Sequence, residues 1–135
     1  TGGYISHRIT LIPGCSEYYK GSIVAYSNSV KEEQLGVKPE LIKKHGAVSR
    51  EVAEAMAAGV ARRFGADFSL GVTGIAGPGG GSAEKATGTT WIAVNGPGGI
   101  KSQKFVFGDS RERNIIRATN SALMMLISAI KEQGR

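Results

Sequence analysis

Two long segments of the chain repeat apolar residues with helical periodicity. In the first, an apolar residue recurs every four positions, at Val52, Met56, Val60 and Phe64. Ser49 precedes this segment as its expected N-cap, and Gly65 follows it as its expected end. The second segment runs from Arg113 to about Glu132, with apolar residues at Ile115, Ala118, Ala122, Met125, Leu126 and Ala129. This spacing predicts two amphipathic helices that each bury one face.

Three shorter helices are predicted in the first third of the chain. Residues 3–12 carry isoleucines at helical spacing after Thr1, which is the expected N-cap. A second helix is predicted from Asn28, its expected N-cap, to Leu35. A third is predicted to begin at Pro39, because proline is favoured at the first helical position.

Four apolar stretches predict strands, at residues 21–27, 68–72, 89–94 and 104–107. The second stretch carries no polar side chain except Ser69, which is typical of a parallel strand covered on both faces. The last two stretches are joined by a glycine-rich turn, which fits an antiparallel hairpin. This order of elements predicts an α/β fold, a three-layer α/β/α domain with a mixed sheet, over residues 1–135 as a single domain.

Composition narrows the class of function. The formal net charge of the chain is +6, but its basic residues are scattered and its aromatic residues are only 7%, so we expect no specific nucleic-acid partner. No apolar run reaches the length of a membrane span and no secretory signal opens the chain, so we expect no membrane association. The single cysteine, Cys15, fits a reducing compartment, and we expect a cytoplasmic protein. His7 and His45 are not spaced as ligands with each other or with Cys15, so no metal site is predicted.

The glycine-rich stretch at residues 73–82 is the strongest candidate for a binding loop. It directly follows a predicted core strand and leads into another strand. Glycines allow positive φ angles and a close approach of a ligand, and successive N–H groups can form an anion-binding concavity. The stretch matches neither a Walker A motif nor a G-x-G-x-x-G fingerprint. A flexible surface turn is the alternative. The candidate binding residues are Thr73, Gly74, Ala76, Gly77, Gly79 and Gly80.

A second candidate segment spans residues 26–31. Tyr26 ends a predicted strand, which is where open α/β sheets place ligands, and Ser27 and Asn28 follow it. Lys31 lies in the first turn of the next helix, where the helix dipole and partial burial both favour a neutral amine. A neutral lysine can accept a proton from a serine, as in Ser–Lys hydrolases. The spacing alone favours the alternative, an exposed lysine on an amphipathic helix.

Both ends of the chain offer further anion-binding groups. Gly2 and Gly3 follow Thr1 at a predicted helix N-terminus, where backbone N–H groups are free to bind an anion or an oxyanion. Near the last helix, Asp109 is an expected cap, and Arg111 has the fork geometry that clamps phosphate or carboxylate. From the residues alone, the role of Arg111 stays open.

These segments, taken together and in this order, resemble the CinA C-terminal domain family, which also includes nicotinamide-nucleotide amidases. The likeness covers essentially the whole chain. The matching segments are Thr1-Gly2-Gly3, Pro13-Gly14-Cys15-Ser16, Tyr26-Ser27-Asn28 with Lys31, Leu35-Gly36-Val37, His45-Gly46-Ala47-Val48-Ser49, residues 73–82, Glu84-Lys85, Thr87-Gly88-Thr89 and Gly108-Asp109. One departure is Ser110, which separates Arg111 from the Gly-Asp pair that Arg directly follows in most of the family.

The resemblance implies hydrolysis of the carboxamide of nicotinamide mononucleotide without a cofactor. It assigns Lys31 as the general base, with Tyr26 supporting it through a hydrogen bond. Backbone N–H groups of Gly2, Gly3 and the 74–81 loop would hold the oxyanion and the phosphate, and the expected substrate-binding set is Thr1, Gly2, Gly3, Ser27, Asn28, Thr73, Gly74, Ala76, Gly77, Gly79, Gly80 and Arg111.

In the family the attacking serine lies on a first strand just before the Thr-Gly-Gly motif, so we expect the chain as it stands to lack that strand and the nucleophile. The expected partners are a pyridine mononucleotide and further copies of the chain. The alternative is a non-catalytic nucleotide-binding or regulatory module of a competence- or damage-related protein.

Overall fold

The computed structural model describes residues 1–134. The elements, in chain order, are α1 (Tyr4–Thr10), a short 3₁₀ helix (Cys15–Glu17), α2 (Asn28–Leu35), α3 (Pro39–His45), α4 (Arg50–Phe64), β1 (Ser69–Gly74), β2 (Thr89–Gly96), β3 (Gly99–Val106) and α5 (Arg111–Glu132). All five helices therefore lie where the residue pattern predicts them. The predicted hairpin is also present, but its second strand begins at Gly99, five residues before the predicted stretch at 104–107. Of the helices within the described residues, none combines the length and the apolar character that crossing a membrane requires.

The three strands form one sheet in the order β1-β2-β3, with both neighbouring pairs antiparallel. The α/β class is confirmed, but the expectation that β1 pairs in parallel is wrong. β1 is followed by a long loop and not by a crossover helix, so the chain returns alongside it in the opposite direction as β2. Within residues 1–134 the sheet has no parallel pair, so the mixed sheet is not found there.

Helices cover both faces of the sheet, which gives the three predicted layers. On one face Ala53 and Ala57 of α4 pack against Ala93 of β2. Gly71 allows this close approach, because a Cβ there would collide with the backbone of α4 at Ala53 and Ala57. On the other face α5 packs against β1 and β2, and α1 lies on α5.

Residues 19–26 run extended without forming a strand, which corrects the strand predicted at 21–27. The strand was predicted as a buried apolar run, but the exposure of its side chains alternates: Ile23 and Ala25 pack against the core, whereas Val24 and Tyr26 are exposed. None of the three described strands is hydrogen-bonded to this segment, so it forms no ladder with them.

Three predicted caps are wrong. Ser27, and not Asn28, caps α2, because its Oγ accepts a hydrogen bond from the N–H of Val30 at 3.3 Å. Thr1 does not cap α1, since Gly3 takes that position in a left-handed conformation, with φ of 94°. Asp109 does not cap α5, which begins after Ser110 without any side-chain cap. The predicted cap of α4 is confirmed, because Ser49 Oγ accepts from the N–H of Val52.

Candidate active site

Lys31 is buried inside the first turn of α2. Only 7% of the residue is exposed, and its amine donates a hydrogen bond of 3.1 Å to the carbonyl of Ala25. Burial lowers the pKa of the Lys31 amine below its ordinary value, because desolvation penalises the charged form. The interpretation of Lys31 as an exposed lysine on a surface helix is therefore wrong. The site contains an amine that loses its proton more readily than a lysine in water.

Arg111 connects three elements at the start of α5. Its Nη1 donates to the carbonyl of Gly77 at 2.9 Å, and its Nη2 donates to the hydroxyl of Tyr26 at 2.8 Å. The hydrogen bond expected between Tyr26 and Lys31 is not found among the described residues: Tyr26 is an exposed residue whose hydroxyl accepts from Arg111, and the Lys31 amine donates to the carbonyl of Ala25. Tyr26 is thus placed to support Arg111 at the mouth of the site.

The amino end of the chain lies against the same region. Thr1 shares a small cavity, about 40 Å³, with residues at the end of β1 and on α5, among them Gly74, Ala76 and Asn114. The nitrogen of Thr1 lies within electrostatic reach of both Arg111 and Lys31. These two side chains therefore both lie close to Thr1.

Several backbone N–H groups of the predicted binding segments are unpaired in the described structure. Within residues 1–134 the N–H groups of Gly2 and Gly3 find no acceptor, and neither do those of Ala76, Gly77, Gly79 and Gly80 in the glycine-rich loop. Gly77 and Gly80 have φ angles of 92° and 88°, which glycine adopts without strain. Unpaired N–H groups in a loop that Arg111 also contacts favour an anion or a developing oxyanion.

Two of the predicted binding residues, Thr73 and Ser27, have other partners. The Thr73 hydroxyl is buried and donates to the carbonyl of Ala47 at 2.8 Å, so it holds β1 to the residues before α4. The Ser27 hydroxyl caps α2 and lies 3.0 Å from the Ser29 hydroxyl. Asn28 is exposed in the first position of α2. Of these three, Ser27 and Asn28 remain open to a ligand.

Sequence reasoning missed Asn114. This residue is 3% exposed, and its Nδ2 donates to the carbonyls of Ala76 and Gly108, both at 2.9 Å. The available signal was a polar residue at an inward position of an amphipathic helix, one turn after Arg111.

Lys85 is likewise tied to the fold, since its amine donates to the carbonyl of His45 at 2.7 Å. In the described part of the chain, no three His, Cys, Asp or Glu side chains form a group suited to a metal ion.

The chain is similar to one family of proteins over nearly its whole length. The family model described as the CinA C-terminal domain matches residues 1–130. A CinA-like protein of Gemmatimonas aurantiaca is 44% identical over 133 residues, which cover 98% of this chain and 31% of that protein. The chain thus spans about a third of the length of such curated relatives.

Solved structures of competence/damage-inducible proteins have the same fold as this chain. The competence/damage inducible protein CihA of Agrobacterium tumefaciens is 40% identical, with a TM-score of 0.92, covering 94% of this chain and 78% of that one. A competence damage-inducible protein A of Klebsiella pneumoniae is 28% identical, also with a TM-score of 0.92, covering 96% of this chain and 81% of that one.

Proposed function

The chain belongs to the CinA C-terminal domain family, and on this premise we propose that it is the amidase part of a protein that hydrolyses the carboxamide of nicotinamide mononucleotide. The products are nicotinic acid mononucleotide and ammonia. The observation that carries the proposal is the buried amine of Lys31, whose pKa is lowered, beside an anion-binding surface. A buried base next to free N–H donors is the combination that acyl transfer requires.

The anionic end of the substrate finds donors on one side of this surface. Arg111 and the unpaired N–H groups of Gly77, Gly79 and Gly80 are suited to a phosphate, because charge-assisted and backbone hydrogen bonds combine there. The N–H groups of Gly2 and Gly3, which follow Thr1 in the chain, are also unpaired among the described residues. We assign them to the oxyanion that develops on the carboxamide oxygen.

The reaction then follows the steps of a Ser–Lys hydrolase. The resemblance assigns the nucleophile to a serine that precedes the Thr-Gly-Gly motif. Neutral Lys31 takes the proton of that serine as its oxygen attacks the carboxamide carbon, and the resulting tetrahedral oxyanion is held by N–H groups. The C–N bond breaks, the Lys31 ammonium protonates the departing nitrogen, and ammonia leaves. Water, deprotonated by Lys31, hydrolyses the ester and restores the serine hydroxyl.

Ammonia release by the full natural gene product tests this proposal. We expect release from nicotinamide mononucleotide and a much lower kcat/KM for nicotinamide riboside, which lacks the phosphate but carries the same carboxamide. Equal kcat/KM for the two compounds would contradict the assignment of Arg111 and the loop to the phosphate. If neither compound released ammonia, the proposed amidase activity would be contradicted.

A second candidate is a nucleotide-binding module without catalysis. It is favoured by the fact that the anion donors, Arg111 and the glycine-rich loop, do not depend on Lys31 for their positions. Calorimetry with nicotinamide mononucleotide separates the two candidates. Binding without ammonia release by the full gene product would support the module, whereas turnover supports the amidase.

A further inference from the structure

The side-chain amide of Asn114 has only one possible orientation. Its Nδ2 lies 2.9 Å from two carbonyl oxygens, those of Ala76 and Gly108. A rotated amide would place its oxygen against both carbonyls, so the NH₂ group must face them. Within the described residues its Oδ1 accepts no hydrogen bond. Because both of its donors bind backbone carbonyls, this buried amide fixes the position of the backbone at Ala76 and Gly108.

Arg111 lies one turn earlier on the same helix and binds the next carbonyl of the loop. Asn114 holds the carbonyl of Ala76, and Arg111 holds that of Gly77. Both donors come from the start of α5, a helix of 22 residues that packs against the sheet. The start of α5 therefore fixes two successive residues of the glycine-rich loop.

The hydrogen bond to the Ala76 carbonyl also fixes the direction of the Gly77 N–H group. The Ala76–Gly77 peptide is planar and trans, so the N–H of Gly77 points opposite to the carbonyl that Asn114 holds. That N–H has no acceptor among residues 1–134. Asn114 thus determines the direction in which an unpaired donor points.

We propose that Asn114 is a positioning residue that orients the Gly77 N–H toward the anionic group of the substrate. The identity of that substrate rests on the proposed function, but the hold of Asn114 on the loop does not. Without this hold, the Arg111 hydrogen bond is the one that fixes Gly77 in the described structure, and a glycine at positive φ has wide backbone freedom. The loop would then have to be ordered by the substrate at a cost in affinity.

The experiment compares Asn114→Leu and Asn114→Asp with Thr119→Val in the full natural gene product. Leucine keeps most of the volume of asparagine but donates nothing, and aspartate places an acceptor against the two carbonyls. Thr119 is the matched control, because it lies on the same helix, is 0% exposed, and has a hydroxyl without a partner among the described residues. Two variants at Asn114 keep the test informative if one of them does not fold.

The first readout is the ¹⁵N order parameter of the Gly77 amide, measured with glycine-selective labelling and no ligand. We expect a rigid value of about 0.8 in the parent and in Thr119→Val, and a value below about 0.6 in either Asn114 variant. The Gly71 amide in β1 reports on the fold and should be unchanged. An order parameter at Gly77 that is equal in all four proteins would overturn the proposal.

The second readout is the hydrolysis of nicotinamide mononucleotide. We expect KM to rise about tenfold in the Asn114 variants while kcat changes less than about threefold, because a loosened binding donor weakens substrate and transition state alike. A fall in kcat at constant KM would overturn the positioning role. A parent protein that releases no ammonia would refute the proposed function, yet the order parameter would still decide whether Asn114 holds the loop.

Discussion

At the scale of single residues, the amine of Lys31 is set apart by its surroundings. It lies between α2 and the extended segment before it, with the Ala25 carbonyl as its hydrogen-bond acceptor in the described structure. An ammonium ion has three donors, so the charged form is poorly satisfied there. Burial therefore favours the neutral amine, which is the form that can accept a proton.

Removal of this amine should abolish most of the amidase activity. In Lys31→Ala we expect kcat for ammonia release to fall by about 10²–10⁴, because positioned proton transfer contributes that much. Lys44→Ala is the control, since Lys44 is an exposed lysine of α3. If the Lys31 variant kept about a tenth of the parent kcat, another group would be the base, and Lys85 would be tested next.

The burial of Lys31 should make the free energy of unfolding depend on pH. Because the pKa of Lys31 is lowered in the folded state, the unfolded chain binds more protons between that pKa and the ordinary lysine value of about 10.4. The contribution of Lys31 to stability therefore improves as pH rises through this window. Lys31→Met should be more stable than the parent at neutral pH, with a difference that shrinks toward pH 10. Urea unfolding at several pH values measures it, and a difference that grows with pH would contradict the burial argument.

At the scale of elements, the helices could be predicted because their signals are local. The repeat from Val52 to Phe64 between Ser49 and Gly65 reproduces α4 as it stands in the structure. Strand pairing could not be predicted in the same way, because a period of two also appears in residues 19–26, which have no ladder. Whether an extended segment becomes a strand depends on a neighbour that its own residues do not specify.

The contact between α4 and β1 depends on the absence of a side chain at Gly71. In Gly71→Ala the new Cβ would meet the backbone of α4 at Ala53 and Ala57, so helix and sheet must move apart. We expect a loss of about 1–3 kcal/mol in the free energy of unfolding. Gly79→Ala is the control, because a Cβ at Gly79 meets nothing within 4 Å. Urea denaturation measures the stability of both variants, and equal stabilities would contradict this account of the packing.

At the scale of the whole molecule, the candidate site is built from residues far apart in the chain. Arg111 and Tyr26 are separated by 85 positions and Asn114 and Ala76 by 38. Composition and periodicity do not encode such pairs, which is why Asn114 was missed and Arg111 stayed undecided. The glycine-rich loop and Lys31 were predictable, because a break in apolar pattern and a cation at a helix start are both visible locally.

The net positive charge of the whole molecule should favour the binding of an anionic substrate. The chain carries a formal net charge of +6, and Arg111 adds local positive charge beside the glycine-rich loop. An anionic mononucleotide is attracted by this field, and salt screens the attraction, with a Debye length of about 10 Å at 0.1 M. We therefore expect KM for nicotinamide mononucleotide to rise about two- to threefold between roughly 20 and 200 mM salt, with little change in kcat. Nicotinamide riboside is the control, since it carries a positive charge and no phosphate, so its KM should not rise with salt. If KM for the mononucleotide stayed constant over this range, binding would depend only on the short contacts made by Arg111 and the loop.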